Sequence, residues 1–199
     1  MRKLLIGFDL GSSSVKATLL DADTGKVVAA KGLPEEEMTI NSPYADWAEQ
    51  DPELWWKYIK ETTQHIVSQA NIIPGEIKGI GIAYQMHGLV MVDKNRAVIR
   101  PSIIWCDSRA VDIGNRAFSA LGSDYCLTHL LNSPGNFTAS KLKWVKDNEP
   151  DKYGKIYKIM LPGDFIAMKL TGEILTSETG LSEGVFWDFP ENKVADQLL

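Results

Sequence analysis

The N-terminal segment constrains the fold of this chain more than any other part of the sequence. An apolar run at Leu4–Leu10 is followed by Gly11-Ser12-Ser13-Ser14 and by a second run at Val15–Leu20. Short apolar runs joined by small residues are typical of a β-hairpin. A third run, Val27–Ala30, follows the turn residues Asp21–Gly25. The segment therefore predicts a three-stranded β-meander that opens the protein.

Beyond the meander, helical and strand patterns alternate. Asp51-Pro52 is typical of a helix N-cap followed by proline in the first turn, and predicts a helix from Pro52 to Gln69. Val194–Leu199 predicts the start of an amphipathic helix. The other predicted strands are Ile77–Tyr84, Leu89–Val92, Ile103–Cys106 and Lys155–Leu161. The other predicted helices are Ala110–Leu121, Thr138–Lys146 and Phe165–Leu170. A meander followed by alternating helices and strands implies an α/β domain with a mixed sheet flanked by helices.

Composition and charge exclude several classes of protein. With 199 residues, 44% hydrophobic and 24% charged, the chain has the composition of a globular domain with its own core. A net charge of -5 without clustered Lys or Arg offers no electrostatic footprint for nucleic acid or an anionic membrane. No apolar stretch approaches the roughly 18 residues of a membrane span, and we expect a cytoplasmic protein. Cys106 and Cys126 are expected to be free thiols, with no disulfide and no zinc site.

The loop between the first two predicted strands is a candidate phosphate site. In Asp9-Leu10-Gly11-Ser12-Ser13-Ser14-Val15-Lys16, backbone N–H groups and hydroxyls could face an anion. Asp is disfavoured inside strands, so Asp9 is a candidate to hold a hydrated Mg²⁺; alternatively, it caps the turn. There is no GxxxxGK[ST], and Tyr84 stands where a dinucleotide motif starting at Gly79 needs glycine. The two common nucleotide motifs are therefore excluded.

Two further segments combine groups that suit a sugar. Gln85-Met86-His87-Gly88 follows a predicted strand, where α/β sheets tend to bind ligands, and an imidazole can bond a hydroxyl. In Trp105-Cys106-Asp107-Ser108-Arg109, the indole could cover the C–H side of a sugar while Asp and Arg bond its hydroxyls. The alternatives are a structural His, a buried Trp and a surface Asp–Arg pair that caps the next helix.

These segments together resemble one known family. Ile6–Lys16 resembles the phosphate hairpin of the actin, hexokinase and Hsp70 superfamily in the form found in FGGY carbohydrate kinases. Gln85–Gly88 resembles the substrate loop of the xylulokinases of that family, and Pro101–Arg109 its second substrate segment. The resemblance continues through residues 45–56, 136–144, 161–165 and 170–173, so it covers essentially the whole chain.

The resemblance implies a ribonuclease H-like fold and an ATP- and Mg²⁺-dependent kinase that converts D-xylulose to D-xylulose 5-phosphate. Residues 1–199 would form most of the N-terminal, sugar-binding domain, with the ATP-binding domain and the catalytic base Asp beyond Leu199. A homodimer is compatible with this picture. The implied phosphate contacts are Asp9 (also the Mg²⁺ contact, through water), Gly11, Ser12, Ser13 and Lys16. The implied sugar contacts are Gln85, Met86, His87, Trp105, Asp107 and Arg109.

Two alternative functions stay open at this point. One is an FGGY kinase for another sugar or polyol, such as gluconate, fuculose, ribulose or glycerol. The other is a non-catalytic actin-like protein, which would have no need of polar sugar contacts. For the remaining sequence we expect a structural role for Glu49–Trp56 and a loop near the cleft at Thr179–Gly184. The other acidic residues are expected on the solvated surface, and His65 and His129 lie in no motif.

Overall fold

The computed structural model describes residues 2–198. Its strands are β1 (Leu4–Leu10), β2 (Val15–Asp21), β3 (Val27–Leu33), β4 (Glu49–Gln50), β5 (Ile77–Tyr84), β6 (Val90–Val92), β7 (Ser102–Ile103), β8 (Lys158–Met160), β9 (Trp187–Asp188) and β10 (Lys193–Val194). Its helices are α1 (Pro52–Ala70), α2 (Val111–Leu121), α3 (Ser123–His129), α4 (Thr138–Asn148), α5 (Pro150–Tyr153), α6 (Pro162–Thr171) and α7 (Glu178–Glu183), with a 3-10 turn at Pro74–Glu76.

The main sheet has the strand order β3-β2-β1-β5. Strands β1, β2 and β3 pair antiparallel as a meander, and β5 pairs parallel to β1. The predicted meander and mixed sheet are therefore confirmed. Burial alternates strictly along β1, where Leu4, Ile6, Phe8 and Leu10 point into the core. Since side chains in a strand alternate between faces, this pattern fixes which face of the sheet is covered.

Helix α1 covers the meander by packing on β2 and β3. Its buried positions recur at helical spacing, as the sequence predicts, and include Trp55, Ile59, Thr62 and Ile66. The Asp51 side chain accepts a hydrogen bond from the Glu53 backbone N–H at 2.9 Å, which satisfies one of the free donors of the first turn. The predicted N-cap and the structural role of Trp55 are thus confirmed.

Several predicted boundaries differ from the structure. Strand β7 ends at Ile103, and Trp105 and Cys106 lie in a turn rather than in a strand. Helix α6 begins at Pro162, three residues before the predicted start, because proline is compatible with the first turn of a helix. The strand predicted over Lys155–Leu161 shortens to β8. The turn at Trp105 matters most, because it leaves the indole exposed.

The C-terminal part differs from the sequence prediction in type as well as in boundaries. Residues 179–184, predicted as a loop, contain most of helix α7, which Ser177 caps by accepting a hydrogen bond from the Gly180 backbone N–H at 3.0 Å. The helix predicted from Val194 is wrong, because Val194 pairs with Trp187 in a β-hairpin and residues 196–198 form a turn. Leu199 lies outside the described residues.

The two cysteines differ in their exposure to solvent. Cys106 is exposed and Cys126 is buried, and both are free thiols, as predicted. Within residues 2–198, none of the helices combines the length and the apolar character that crossing a membrane requires.

Candidate active site

The predicted phosphate hairpin lies at the carboxyl end of β1. Asp9 is directly opposite Lys16 in the β1–β2 register, and its Oδ2 lies 3.3 Å from the Lys16 Nζ. Both side chains are more than half exposed, at 56% and 62%. The Gly11 N–H donates to the Ser14 carbonyl at 3.0 Å, which closes the turn. The hairpin therefore presents a carboxylate, an ammonium and the hydroxyls of its serines to solvent.

This donor set suits a magnesium–phosphate group. A carboxylate oxygen is the kind of ligand that Mg²⁺ prefers, while an ammonium and hydroxyls can bond phosphate oxygens. Among residues 2–198, no group of three or more His, Cys, Asp or Glu side chains is placed to hold a metal ion by itself. Asp9 could thus supply one ligand of a Mg²⁺ whose other ligands are water and phosphate oxygens.

The first predicted sugar segment begins where β5 ends. The Gln85 N–H donates to the Leu10 carbonyl at 2.8 Å, which holds this segment beside the phosphate hairpin. Met86 is 55% exposed, whereas Gln85 is buried and donates through Nε2 to the Gln50 Oε1 at 3.1 Å. His87 has a positive φ of 58°. The structure therefore brings the Met86–His87 pair and the hairpin to the same end of the sheet.

The second predicted sugar segment reaches the hairpin through Trp105. The indole is 47% exposed, and its Nε1 lies 3.4 Å from the Ser12 Oγ. The alternative of a Trp buried at a strand end is therefore wrong. An exposed indole next to the hairpin can offer its flat face to the C–H side of a ligand. Residues from three separated segments thus line one surface.

Asp107 and Arg109 lie in the interior of the domain, beneath the turn that contains Trp105. The Asp107 side chain is fully buried and that of Arg109 is 1% exposed, so the alternative of a surface pair is wrong. The Asp107 carboxylate accepts hydrogen bonds from the Ala48 N–H and from the Arg109 guanidinium, both at 2.6 Å. Both charges can be buried because they pair with each other and form further hydrogen bonds, which a buried charge needs. The pair holds the turn that carries Trp105.

The buried pair belongs to a larger charged network. Arg109 also contacts the Glu49 carboxylate at 2.7 Å, and Arg100 bonds the same carboxylate. The Arg109 guanidinium lies over the rings of Trp47 and Trp144, 3.6 Å and 4.9 Å from their centroids. Glu49 lies in the segment Glu49–Trp56, and its buried ion pairs agree with the structural role predicted for that segment. The sequence does not show which residues Glu49 contacts, because its partners come from distant segments.

Sequence reasoning assigned no role to Lys141, which is fully buried beneath the two sugar segments. Its Nζ donates to the carbonyls of His87 at 2.9 Å and Asn136 at 2.8 Å. Burial lowers the pKa of Lys141 to about 8, against the opposing effects of Asp107 and Cys106. Lys141 lies in residues 136–144, which resemble the corresponding segment of the family. A lysine in a predicted helix is nevertheless expected on the surface, so the sequence does not indicate that it is buried.

A second group of titratable residues lies behind His87. The Glu183 Oε1 accepts a hydrogen bond from the His87 backbone N–H at 2.7 Å. Burial raises the pKa of the Glu183 carboxyl, and it also raises the pKa of Asp164 and of the Tyr84 hydroxyl. For the segment Thr179–Gly184 the sequence predicts only a loop near the cleft, and it does not indicate this contact between Glu183 and His87.

The other two histidines lie apart from these contacts. His65 is exposed on α1. The His129 Nδ1 lies 2.9 Å from the Asp188 Oδ1, and the Tyr125 hydroxyl donates to the same carboxylate at 3.1 Å. This second arrangement joins α3 to β9 and has no residue in common with the candidate site.

Comparisons with known proteins agree with this arrangement. The sequence is 36% identical over 197 residues to the xylulose kinase of Escherichia coli (strain K12), covering 98% of this chain and 39% of that protein. The solved xylulose kinase from Rhodospirillum rubrum superposes with a TM-score of 0.86 at 28% identity, covering 98% of this chain and 40% of that one. A gluconate kinase from Lactobacillus acidophilus, at 23% identity and a TM-score of 0.87, shares the fold.

The chain spans about two fifths of the length of the curated relatives that it matches, 39% in the case of the Escherichia coli protein. The likeness to solved sugar kinases confirms the predicted fold class, the ribonuclease H-like fold of the actin and hexokinase superfamily. Residues 4–199 match the family described as the FGGY family of carbohydrate kinases, N-terminal domain. This chain therefore belongs to the FGGY family of carbohydrate kinases.

Proposed function

We propose that this chain is the N-terminal, sugar-binding part of an ATP-dependent kinase that phosphorylates D-xylulose to D-xylulose 5-phosphate. The observation that carries the proposal is the contact between the Trp105 indole and the Ser12 hydroxyl, 3.4 Å apart, which joins a sugar segment to the phosphate hairpin. A phosphoryl group and an acceptor hydroxyl bound on either side of this contact would be neighbours.

In this proposal each exposed group has a separate task. Asp9 would help to hold Mg²⁺ through water, and Ser12, Ser13 and Lys16 would approach the phosphates near Gly11. Phosphoryl transfer is largely positioning and charge stabilisation, which these groups can provide. The Mg²⁺, when bound, supplies positive charge that offsets the charge of the phosphates. ATP as the donor is consistent with the cytoplasmic location predicted from the sequence.

The sugar would lie against Trp105, Met86 and His87. Trp105 offers an apolar face, and the His87 imidazole can bond a hydroxyl. Gln85, Asp107 and Arg109 would shape this surface from beneath, since their side chains are buried. The catalytic base would be an Asp in a C-terminal, ATP-binding part of the protein, so we expect residues 1–199 alone to bind but not to turn over substrate.

The test uses the complete reading frame that contains this sequence. ADP release with MgATP would be followed against D-xylulose, D-ribulose, L-fuculose, gluconate and glycerol, with the 199-residue chain as a control. Fastest turnover with D-xylulose, lost in His87→Ala, is the expected result. If another sugar is preferred, the proposed substrate is wrong, whereas the proposed kinase reaction still holds. A folded protein with no turnover on any sugar favours the non-catalytic actin-like alternative.

A further inference from the structure

His87 has a backbone conformation that needs support. Its φ of 58° lies in the left-handed region, which residues with a side chain rarely adopt. Such a conformation persists where the surrounding structure holds it in place. The next residue, Gly88, packs so closely that a Cβ there would lie 2.6 Å from the Pro162 Cγ. The backbone at His87 and Gly88 is therefore closely packed and has little room to change its conformation.

Two charged side chains bond the backbone of His87, one at its N–H and one at its carbonyl. The Glu183 Oε1 accepts the His87 N–H at 2.7 Å, and the Lys141 Nζ donates to the His87 carbonyl at 2.9 Å. Glu183 comes from α7 and Lys141 from α4, so the two contacts tie a loop to two separate helices. Hydrogen bonds to charged groups are stronger than neutral ones. Together they can hold one residue in an otherwise unfavourable conformation.

Lys141 is costly in this position. Its side chain is fully buried, and within residues 2–198 no carboxylate oxygen lies within 4.0 Å of its ammonium. An apolar side chain of similar size would avoid the desolvation of a charge. What the ammonium adds is its pair of contacts, one to His87 and one to the Asn136 carbonyl. Because the Asn136 Nδ2 donates to the Asp107 carbonyl, Lys141 connects both predicted sugar segments.

The ring of His87 is oriented as firmly as its backbone. The Nδ1 atom is enclosed, lies 3.9 Å from the Glu183 Oε1 and has no hydrogen-bond partner among residues 2–198. The ring packs against Phe137, with centroids 4.2 Å apart. Since Nδ1 is inaccessible, Nε2 is the ring nitrogen left to meet a ligand. A carboxylate near Nδ1 favours the tautomer with its proton on that atom, which makes Nε2 a hydrogen-bond acceptor.

We infer that Lys141 and Glu183 are positioning residues that fix the backbone of His87 so that its Nε2 faces the sugar as an acceptor. The inference depends on the proposed function only for the identity of the ligand. The charged and titratable groups around this arrangement are Asp107, Cys106 and Arg109 near Lys141, and Tyr84 and Asp164 near Glu183. Burial and the Lys141 charge both lower the pKa of His87, while the contact with Glu183 opposes them.

The test compares three variants with two matched controls in the protein of the complete reading frame. Lys141→Met removes the ammonium at similar size, Glu183→Gln keeps an acceptor oxygen, and Glu183→Ala removes it. The controls are Lys143→Met, two residues along α4 on an exposed side chain, and Glu178→Gln at the exposed start of α7. Each protein would be assayed for KM and kcat with sugar and ATP, and the His87 imidazole would be titrated by NMR against a His87→Gln blank.

Lys141→Met and Glu183→Ala are expected to raise the KM for the sugar about tenfold, the equivalent of one lost hydrogen bond, and to leave the KM for ATP within about twofold. Glu183→Gln should lie between Glu183→Ala and the wild type. In Lys141→Met the pKa of His87 should rise, because a nearby positive charge has been removed. The controls should match the wild type in every measurement.

Folded variants with an unchanged sugar KM and an unchanged His87 titration would overturn the inference. Equal effects on the KM values for sugar and ATP would also overturn it, because they indicate a general loss of structure. If Lys141→Met fails to fold, the comparison of Glu183→Gln with Glu183→Ala decides. If the wild type turns over no sugar, the proposed function fails, whereas the His87 titration still tests the two contacts.

Discussion

The side-chain amide of Gln50 donates a hydrogen bond to the Ser12 carbonyl at 2.6 Å, which ties β4 to the phosphate hairpin. Its oxygen accepts two more hydrogen bonds, from the Gln85 Nε2 at 3.1 Å and from the Trp55 Nε1 at 3.2 Å. One buried amide therefore joins the hairpin, the first sugar segment and the core of α1. The relative position of the hairpin and the first predicted sugar segment therefore depends on a residue outside both segments.

Replacement of this amide is expected to destabilise the fold. Gln50→Leu leaves the Ser12 carbonyl and the donors of Gln85 and Trp55 without their partner, and each buried unpaired group costs about 1–3 kcal/mol. We expect the free energy of unfolding, measured in urea, to fall by about 2–4 kcal/mol. Gln64→Leu, on the exposed side of α1, is the control and should change it by less than about 0.5 kcal/mol. A loss no larger than that of the control would contradict this role for Gln50.

The buried network makes Arg109 a structural residue. Arg109→Lys keeps the charge but loses the bidentate contact with Asp107 and the stacking on Trp47. Because breaking a buried ion pair typically costs about 3–5 kcal/mol, a loss of that order in the free energy of unfolding is expected in urea titrations. Arg116→Lys, on the exposed face of α2, serves as the control. Normal stability with an increased sugar KM would instead favour a direct contact between Arg109 and the sugar.

The sequence allowed local elements to be predicted where one short segment carries the whole pattern. The β1–β2 hairpin and α1 belong to this class, since apolar periodicity and the Asp51 cap depend on neighbouring residues. The same holds for the exposed groups of the candidate site, such as Asp9. For these groups the residue types, the strand end and the hairpin all lie within a few positions of one another.

What could not be predicted depends on contacts between distant segments. Glu183 lies in a segment predicted only as a loop near the cleft, and its contact with His87 spans 96 positions. Asp107 and Arg109 are two positions apart and suggest a surface pair, yet Asp107 bonds the Ala48 backbone and Arg109 bonds the Glu49 carboxylate in the interior. Burial of charge is a property of the tertiary arrangement, and periodicity in a single sequence does not encode it.

Gly114 provides a test of close packing between α2 and the loop before α4. In an exposed helix, Gly→Ala stabilises by about 1 kcal/mol. Here the new Cβ would lie 1.8 Å from the backbone oxygen of Gly135, so the helix or the loop must move. Gly114→Ala is therefore expected to lower the free energy of unfolding by about 1–3 kcal/mol, while Asn115→Ala on the same helix is neutral or slightly stabilising. A stabilising Gly114→Ala would show that the two backbones are further apart.

Asp9 should matter for catalysis and hardly at all for stability. Its carboxylate is 56% exposed, and an exposed ion pair such as that with Lys16 contributes about 0–1 kcal/mol. Asp9→Asn in the complete protein is expected to reduce kcat/KM with MgATP by about 10²-fold, as for other groups that stabilise developing charge. Asp23→Asn, in the exposed β2–β3 turn, is the control. Full activity of Asp9→Asn, or activity that survives removal of Mg²⁺ by a chelator, would exclude Asp9 as a magnesium contact.

The buried ammonium of Lys141 predicts an unusual dependence of stability on pH. Burial lowers its pKa from 10.5 to about 8 in the folded protein, whereas the unfolded chain keeps the ordinary value. Between these values the unfolded state binds more protons, so the Lys141 contribution to stability increases as pH rises. The slope is at most about 1.4 kcal/mol per pH unit. Below about pH 8 the lysine is charged in both states, and the full cost of burying it is present.

The measurement is the difference in unfolding free energy between the wild type and Lys141→Met, determined in urea from pH 7.5 to 10.5. In this difference, the contributions that the titration of the tyrosines, the cysteines and the other lysines makes to the unfolding free energy cancel. We expect the wild type to gain stability relative to the variant across this interval, and Lys143→Met to show no such trend because Lys143 is 54% exposed. A difference that is constant with pH would mean that Lys141 keeps an ordinary pKa, and hence that water reaches its ammonium in the folded protein.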